Sequence, residues 1–170
     1  MDLPKRKSIR LKDYDYSSNG AYFITVCTKN REKILCNISV GDGAHDVPMA
    51  GDISLQLTNI GKIVEKYILS AKNMKGVNID NYIIMPDHIH LLLRINNPDY
   101  CGTSRAPSPT NFLVPRAVSV MKRLINKEVG ENIFQRSYHD HIIRTENDYL
   151  DAWSYIDSNP RLWLEGKDNH

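Results

Sequence analysis

The sequence predicts an α+β fold, a split βαβ antiparallel sheet with helices on one face and an extra C-terminal helix, within a single domain. Three observations predict it. Runs of aromatic and β-branched residues at 21–27, 77–85 and 88–95 have the composition of strands. Apolar residues recur at helical spacing after Thr58, Arg116 and Thr145. The segments follow the order strand, helix, strand, strand, helix, strand, helix, which is a split βαβ arrangement plus one helix.

The first strand is expected over Ala21 to Cys27, after the turn signal Ser17-Ser18-Asn19-Gly20. Residues 37–52 contain GDGAHDVPMAGD, dense in Gly, Asp and Pro, and are expected as a flexible surface loop or hairpin. Thr58 can cap a helix in which Ile60, Ile63, Val64, Tyr67 and Ile68 share a face, ending near 72–76. Val77 to Met85 and His88 to Ile95 then read as two strands joined by a tight turn at Pro86-Asp87. Residues 98–115, rich in Pro, Ser and Asn, are expected to be flexible.

Beyond them, Ala117, Val118, Val120, Met121, Leu124 and Ile125 fit a helix over about 116–128, closed by Gly130. A strand is expected within Ile133 to Ile143. Thr145 caps a last helix that runs to about Ser158 and is stopped by Pro160. No internal repeat is evident.

At 170 residues the chain can enclose one hydrophobic core. No apolar run approaches the eighteen or so residues of a membrane span. The N-terminal stretch MDLPKRKSIRLKDYDY is basic without the apolar segment of a secretory signal, and Cys27, Cys36 and Cys101 have no metal-ligand spacing. Reduced thiols in the cytoplasm are therefore expected.

Net charge is only +2, but it is unevenly placed. Lys5, Arg6, Lys7, Arg10 and Lys12 crowd the start as a basic arm, and Arg116, Lys122, Arg123 and Lys127 lie in the fifth predicted element. Either cluster can track phosphates or simply be a solvated surface. No Gly-rich phosphate loop and no Cys-x-x-Cys pair is present, which removes support for nucleotide hydrolysis and structural zinc.

The sharpest local motif is MPDHIHLLL. Strand side chains alternate, so His88 and His90 project from one side and Ile89 from the other, and both imidazoles can reach one metal ion. Such a pair also occurs as plain surface histidines. His139 and His141 repeat the spacing as a competing metal pair, or as structural or DNA-contacting residues. On the last helix, at about 100° per residue, Tyr149, Leu150, Trp153 and Ile156 form an apolar arc. Tyr155 lies roughly opposite, with Asp148, Asp151 and Asn159 around it, and reads either as a packing residue or as a nucleophile. Asn159, one turn on, can add an oxygen ligand, although a residue before proline tends to leave helical geometry.

Together, YFITVCTKNRE, NYIIMPDHIHLLL and FQRSYHDHIIRTENDYLDAWSYIDSNP resemble the single-tyrosine HUH transposases, especially the REP-associated tyrosine transposases. The resemblance covers roughly 5–35 and 58–165, with no counterpart placed for 37–52 and 98–115. It implies a ferredoxin-like sheet, a divalent ion (Mg2+ or Mn2+) on His88 and His90 with Asn159 completing the site, and Tyr155 as nucleophile. It also implies nicking and rejoining of single-stranded or hairpin DNA through a 5′-phosphotyrosine.

DNA contacts are expected from Lys5, Arg6, Lys7 and Arg10, from Arg116, Lys122, Arg123 and Lys127, and from Arg136. Two imidazoles alone would favour zinc or another later metal by softness. Two rival functions remain at this stage: a non-catalytic single-strand nucleic-acid-binding module, and a metal phosphodiesterase that uses water. Monomer and homodimer are both left open.

Overall fold

A computed structural model describes residues 19–40, 53–96 and 112–166. Strands β1 (Gly20–Cys27), β4 (Val77–Ile84), β5 (His88–Ile95) and β6 (His139–Ile143) form one sheet in the order β4-β5-β1-β6. Every neighbouring pair in it is antiparallel. Strands β2 (Cys36–Val40) and β3 (Ile53–Leu57) pair as a separate two-stranded ribbon. Helix α1 (Asn59–Ser70) links β3 to β4, α2 (Leu113–Val129) lies between β5 and β6, and α3 (Glu146–Leu164) follows β6.

The side-chain period of two assigns the sheet faces. Tyr22, Ile24 and Val26 of β1, with Ile89, Leu91, Leu93 and Ile95 of β5, enter a core shared with Val64 and Ile68 of α1 and Val118, Met121 and Ile125 of α2. The alternate residues, Phe23 and Thr25 with His88, His90 and Leu92, face the other way and are covered by α3. Strand β5 is buried on both faces up to Leu93, as a strand with layers on either side must be.

Local signals fix the helix ends. The Thr58 hydroxyl accepts from Gly61 N at 3.0 Å and donates toward the Ile34 and Leu35 carbonyls. Gly61 has to be glycine, because a Cβ there would stand 2.0 Å from the Leu35 carbonyl oxygen. Gly130 closes α2 at φ 92, a left-handed conformation that costs glycine little.

Four expectations are corrected. Residues 37–40, expected in a flexible loop or hairpin, belong to β2, whose antiparallel pairing with β3 fits the hairpin alternative and adds two strands absent from the sequence-based order; residues 41–52 lie outside the described residues. Leu113 to Pro115, also expected in a flexible segment, are the first turn of α2. Proline fits there because the first helical N–H groups have no intrahelical acceptor. The remainder of that segment, 97–111, is outside the described residues.

Helix α3 does not stop at Pro160 but carries it inside and continues to Leu164. An interior proline costs a helix roughly 3 kcal/mol. Burial of Ile156 and the packing of Trp163 against His88 offset that cost by an amount of the same order. The fourth correction concerns which side of α3 meets the sheet. Leu150 and Trp153, expected in the packed arc, are 55% and 37% exposed, whereas Asn159, expected on the polar side, is fully buried.

Candidate functional site

The buried polar side chains of the described residues gather on the α3 side of the sheet. His88 and His90 are both fully buried, with ring centroids 4.7 Å apart. Each ring is held through its Nδ1. Asp87 Oδ1 lies 2.6 Å from His88 Nδ1, and as an ionised carboxylate it can only accept, so Nδ1 carries the proton. Thr25 Oγ1, directly across the ladder, lies 2.9 Å from His90 Nδ1. Both arrangements direct Nε2 toward the interior of the site.

Asp87 is in turn fixed by the loop after β1. Its backbone carbonyl accepts from Thr28 N at 2.8 Å and from the Thr28 hydroxyl at 2.9 Å. Its carboxylate stands 3.5 Å from the guanidinium of Arg31, which also donates to Cys27 Sγ at 3.3 Å. Both described cysteines, Cys27 and Cys36, are buried thiols outside any disulfide, and burial pushes the Cys36 thiol up to about 12.

Helix α3 brings three residues, each one turn after the last, to this face. Tyr155 stands edge-on to His90 at 5.3 Å between centroids and to Phe23 at 5.9 Å, while Phe23 stacks on His90 at 4.9 Å. Trp163 lies 5.8 Å from the His88 ring. Asn159 sits between them in sequence, with its Oδ1 buried. Proline at 160 has not turned Asn159 out of the helix.

The first half of α3 is clamped separately. Tyr149 donates to Asp80 Oδ2 at 2.9 Å, Arg94 Nε donates to the same oxygen at 2.7 Å, and Arg94 Nη2 donates to the Tyr149 hydroxyl at 3.1 Å. Burial and the Asp80 carboxylate raise the Tyr149 phenol above its ordinary pKa.

The donors suit a divalent ion. Two imidazoles that share an ion at about 2.1 Å per nitrogen have ring centroids roughly 4.5–5.5 Å apart, and the observed separation falls in that interval. A carboxylate and a hydroxyl on the far nitrogens are the usual outer partners of such rings. Among the described residues no group of three His, Cys, Asp or Glu side chains converges, and the further oxygens those residues offer beside the two rings are the amide of Asn159 and the phenol of Tyr155.

His139 and His141 share the sheet face of His88 and His90, because His139 pairs with Thr25 and His141 with Phe23. Strand β1 stands between the two histidine pairs, which separates them by two strand spacings, about 9–10 Å. Both are exposed, and His141 Nε2 lies 3.7 Å from Asp148.

Arg116, Arg123 and Lys127 form one exposed stripe on α2, on the opposite side of the sheet from the histidines. Lys122 is not part of it. Its ammonium donates to the Gln135, Arg136 and Ser137 carbonyls, and burial lowers its pKa. Arg136 is exposed beside β6. Lys5, Arg6, Lys7 and Arg10 lie outside the described residues.

Asp87, Thr25, Phe23, Arg31 and Trp163 were not singled out by sequence reasoning. Asp87 carried a local signal, a carboxylate beside a histidine at a turn; the others are recognisable only through strand register and helix packing.

No known family profile matches the chain. An uncharacterised protein of Haemophilus influenzae is 32% identical over 173 residues, spanning 93% of this chain and 89% of that one, and the two belong to one family. Among solved structures, a REP-associated tyrosine transposase bound to a REP hairpin is similar with a TM-score of 0.59 and 20% identity, covering 89% of this chain and 72% of that chain. The fold is that of the REP-associated tyrosine transposase. A Deinococcus radiodurans structure assigned as a transposase is more remote, with a TM-score of 0.47 and 16% identity over 88% of this chain and 97% of that one. In this transposase fold the paired histidines occupy the second strand of the β4–β5 hairpin, and the final helix crosses them. No helix of the described residues is long and apolar enough to cross a membrane.

Proposed function

We propose that this protein nicks and rejoins single-stranded DNA, with Tyr155 as the nucleophile. The observation that carries the proposal is the seating of the Tyr155 ring against His90, which puts a phenol from α3 beside two buried imidazoles from β5. A water-using phosphodiesterase and a simple binding module have no use for that juxtaposition.

His88 and His90, through Nε2, and Asn159, through Oδ1, would hold a divalent ion, Mg2+ or Mn2+. When bound, that ion supplies positive charge to a scissile phosphate oxygen. Tyr155 Oη attacks phosphorus and releases its proton, and the 3′-oxygen of the preceding nucleotide leaves and is protonated. The products are a 5′-phosphotyrosine and a free 3′-hydroxyl. Because one phosphoester replaces another, the reverse attack by a 3′-hydroxyl rejoins the strand without an external energy source. Asp87 and Thr25 keep the two rings in register, and Phe23 supports the wall on which Tyr155 rests.

The substrate proposed is single-stranded DNA with a hairpin, since the similar transposase structure holds a REP hairpin. The exposed Arg116, Arg123 and Lys127 lie across the sheet from Tyr155, so one DNA molecule that touched both would have to pass around a sheet edge. The deciding experiment incubates the protein with labelled hairpin DNA and Mn2+, then separates covalent adducts on a denaturing gel. Wild type should form an adduct and Tyr155→Phe should bind DNA without one. An adduct that survives Tyr155→Phe, or cleavage with no adduct at all, removes the phenol from the mechanism.

A further inference from the structure

We infer that the turn Lys29–Arg31, its neighbour Lys33 and Trp163 of α3 form a subsite for one nucleotide of the single strand, next to the His88 side of the site. The inference rests on the proposed function for its ligand class, single-stranded DNA. Four observations lead to it.

First, Asn30 and Arg31 both adopt left-handed backbone conformations, at φ 54 and φ 57. Neither is glycine, and two consecutive non-glycine residues there carry a conformational cost that surrounding structure must hold in place. It is held: Thr28 N bonds to the Asp87 carbonyl, Lys29 N to the Ile133 carbonyl at 2.7 Å, and Leu35 N to the Pro86 carbonyl at 3.0 Å. Such strain clusters where a backbone is bent to present side chains.

Second, what the turn presents is positive. Lys29 and Lys33 are exposed and the Arg31 side chain retains 35% of its exposure, against the single exposed carboxylate of Glu32. One Arg31 nitrogen serves Asp87 and Cys27, and its other donors can take a phosphate oxygen.

Third, Lys33 Nζ sits 5.4 Å over the Trp163 ring. An exposed cation–π contact is weak and readily exchanged. A base stacking on the indole would take the place of the ammonium, and the ammonium would then be freed to pair with that nucleotide's phosphate. One movement yields both contacts.

Fourth, Trp163 lies 5.8 Å from His88 on the same α3 face as Tyr155. A base on Trp163 is therefore adjacent to a phosphate placed between the histidines and the phenol. The indole is a sequence-tolerant platform, so this subsite positions the strand and does not read a particular base.

The test is a cycle between protein and DNA that needs no catalysis. Binding of fluorescently labelled oligothymidylate of about fifteen nucleotides is compared with that of an abasic chain of equal length, which keeps the phosphates and lacks the bases. Wild type should bind the thymidylate roughly 10-fold or more tightly than the abasic chain. Trp163→Ala should close most of that gap, and Trp163→Phe should keep part of it. Lys33→Gln should leave the gap and lower the salt dependence of log affinity by roughly 0.7.

A gap that persists in folded Trp163→Ala, or no gap in wild type, overturns the subsite. Circular dichroism of each variant establishes folding, and Trp163→Phe carries the comparison if the alanine variant unfolds. The covalent adduct on hairpin DNA is measured with the same preparations. An adduct without a base-dependent gap defeats the subsite alone, whereas a Trp163-dependent gap without an adduct supports the subsite and defeats the catalytic reading.

Discussion

Asp87 Oδ1 and His88 Nδ1 lie 2.6 Å apart inside the protein, a carboxylate and an imidazole that are neighbours in sequence and partners in space. The bond fixes the ring's tautomer and rotation, and so holds the other nitrogen, Nε2, toward the interior of the site. Asp87→Asn keeps an acceptor in place and removes the charge. It should weaken Mn2+ binding about 10- to 100-fold in titration calorimetry while the protein stays folded. Equal affinity in the two proteins would show that Asp87 only closes the turn.

Asn159 is fully buried, and its exchange for aspartate tests whether its oxygen meets a metal. Without an ion, a buried carboxylate is costly and its pKa rises. In EDTA the Asn159→Asp protein should melt below wild type. Adding Mn2+ should then raise its melting temperature by more than it raises that of wild type. The same Mn2+-induced rise in both proteins would remove Asn159 from the ligand set.

Tyr149, Asp80 and Arg94 tie the first half of α3 to strands β4 and β5 through two bonds made by the phenol hydroxyl. Tyr149→Phe retains the ring and deletes both bonds. Arg94 is half-exposed, so its share is discounted, and the expected loss in urea unfolding is about 1 kcal/mol. Hydrogen exchange should quicken chiefly in the first half of α3. No change in either measurement would mean that packing of Ile156 and Trp163 alone seats the helix.

Cys36 donates to the Ile84 carbonyl at 3.2 Å, and its thiol is raised from 9.0 to about 12 by burial. The folded state therefore keeps a proton that the unfolded chain gives up. This contribution to stability is whole below pH 9 and is lost progressively as pH rises from 9 toward 12. Wild type should lose about 1 kcal/mol more than Cys36→Ala between pH 8 and pH 10 in urea unfolding. Tyr67, Tyr82 and Tyr149, also raised, act in the same direction in both proteins and cancel in the comparison. Parallel pH curves for the two proteins would contradict it.

Much of the architecture was legible from residue order. Strand composition located β1, β4, β5 and the region of β6, and helical spacing located α1, α2 and α3, because each element carries its own periodicity. Alternation along β5 was enough to place His88 and His90 on one side of the sheet. The β2–β3 ribbon escaped because its sides are mostly exposed and only Cys36 is buried, leaving little apolar alternation to read. The start of α2 and the length of α3 escaped because proline reads locally as a breaker, while the first turn tolerates it and tertiary burial outweighs it.

By itself, then, the sequence determined the four strands of the main sheet, the three helices, the order in which these follow one another and the shared side of two imidazoles, all of which follow from local stereochemistry. Only the tertiary structure decided which side of α3 would be covered. Ile156 is covered, as its place in the apolar arc predicts, but Leu150 and Trp153 of the same arc are exposed while Tyr155, Asn159 and Trp163 face inward. The reason lies in the surface they cover. A sheet face bearing two buried imidazoles and a threonine is better matched by aromatic edges and an amide than by aliphatic side chains, and that complementarity exists only after the strands have assembled.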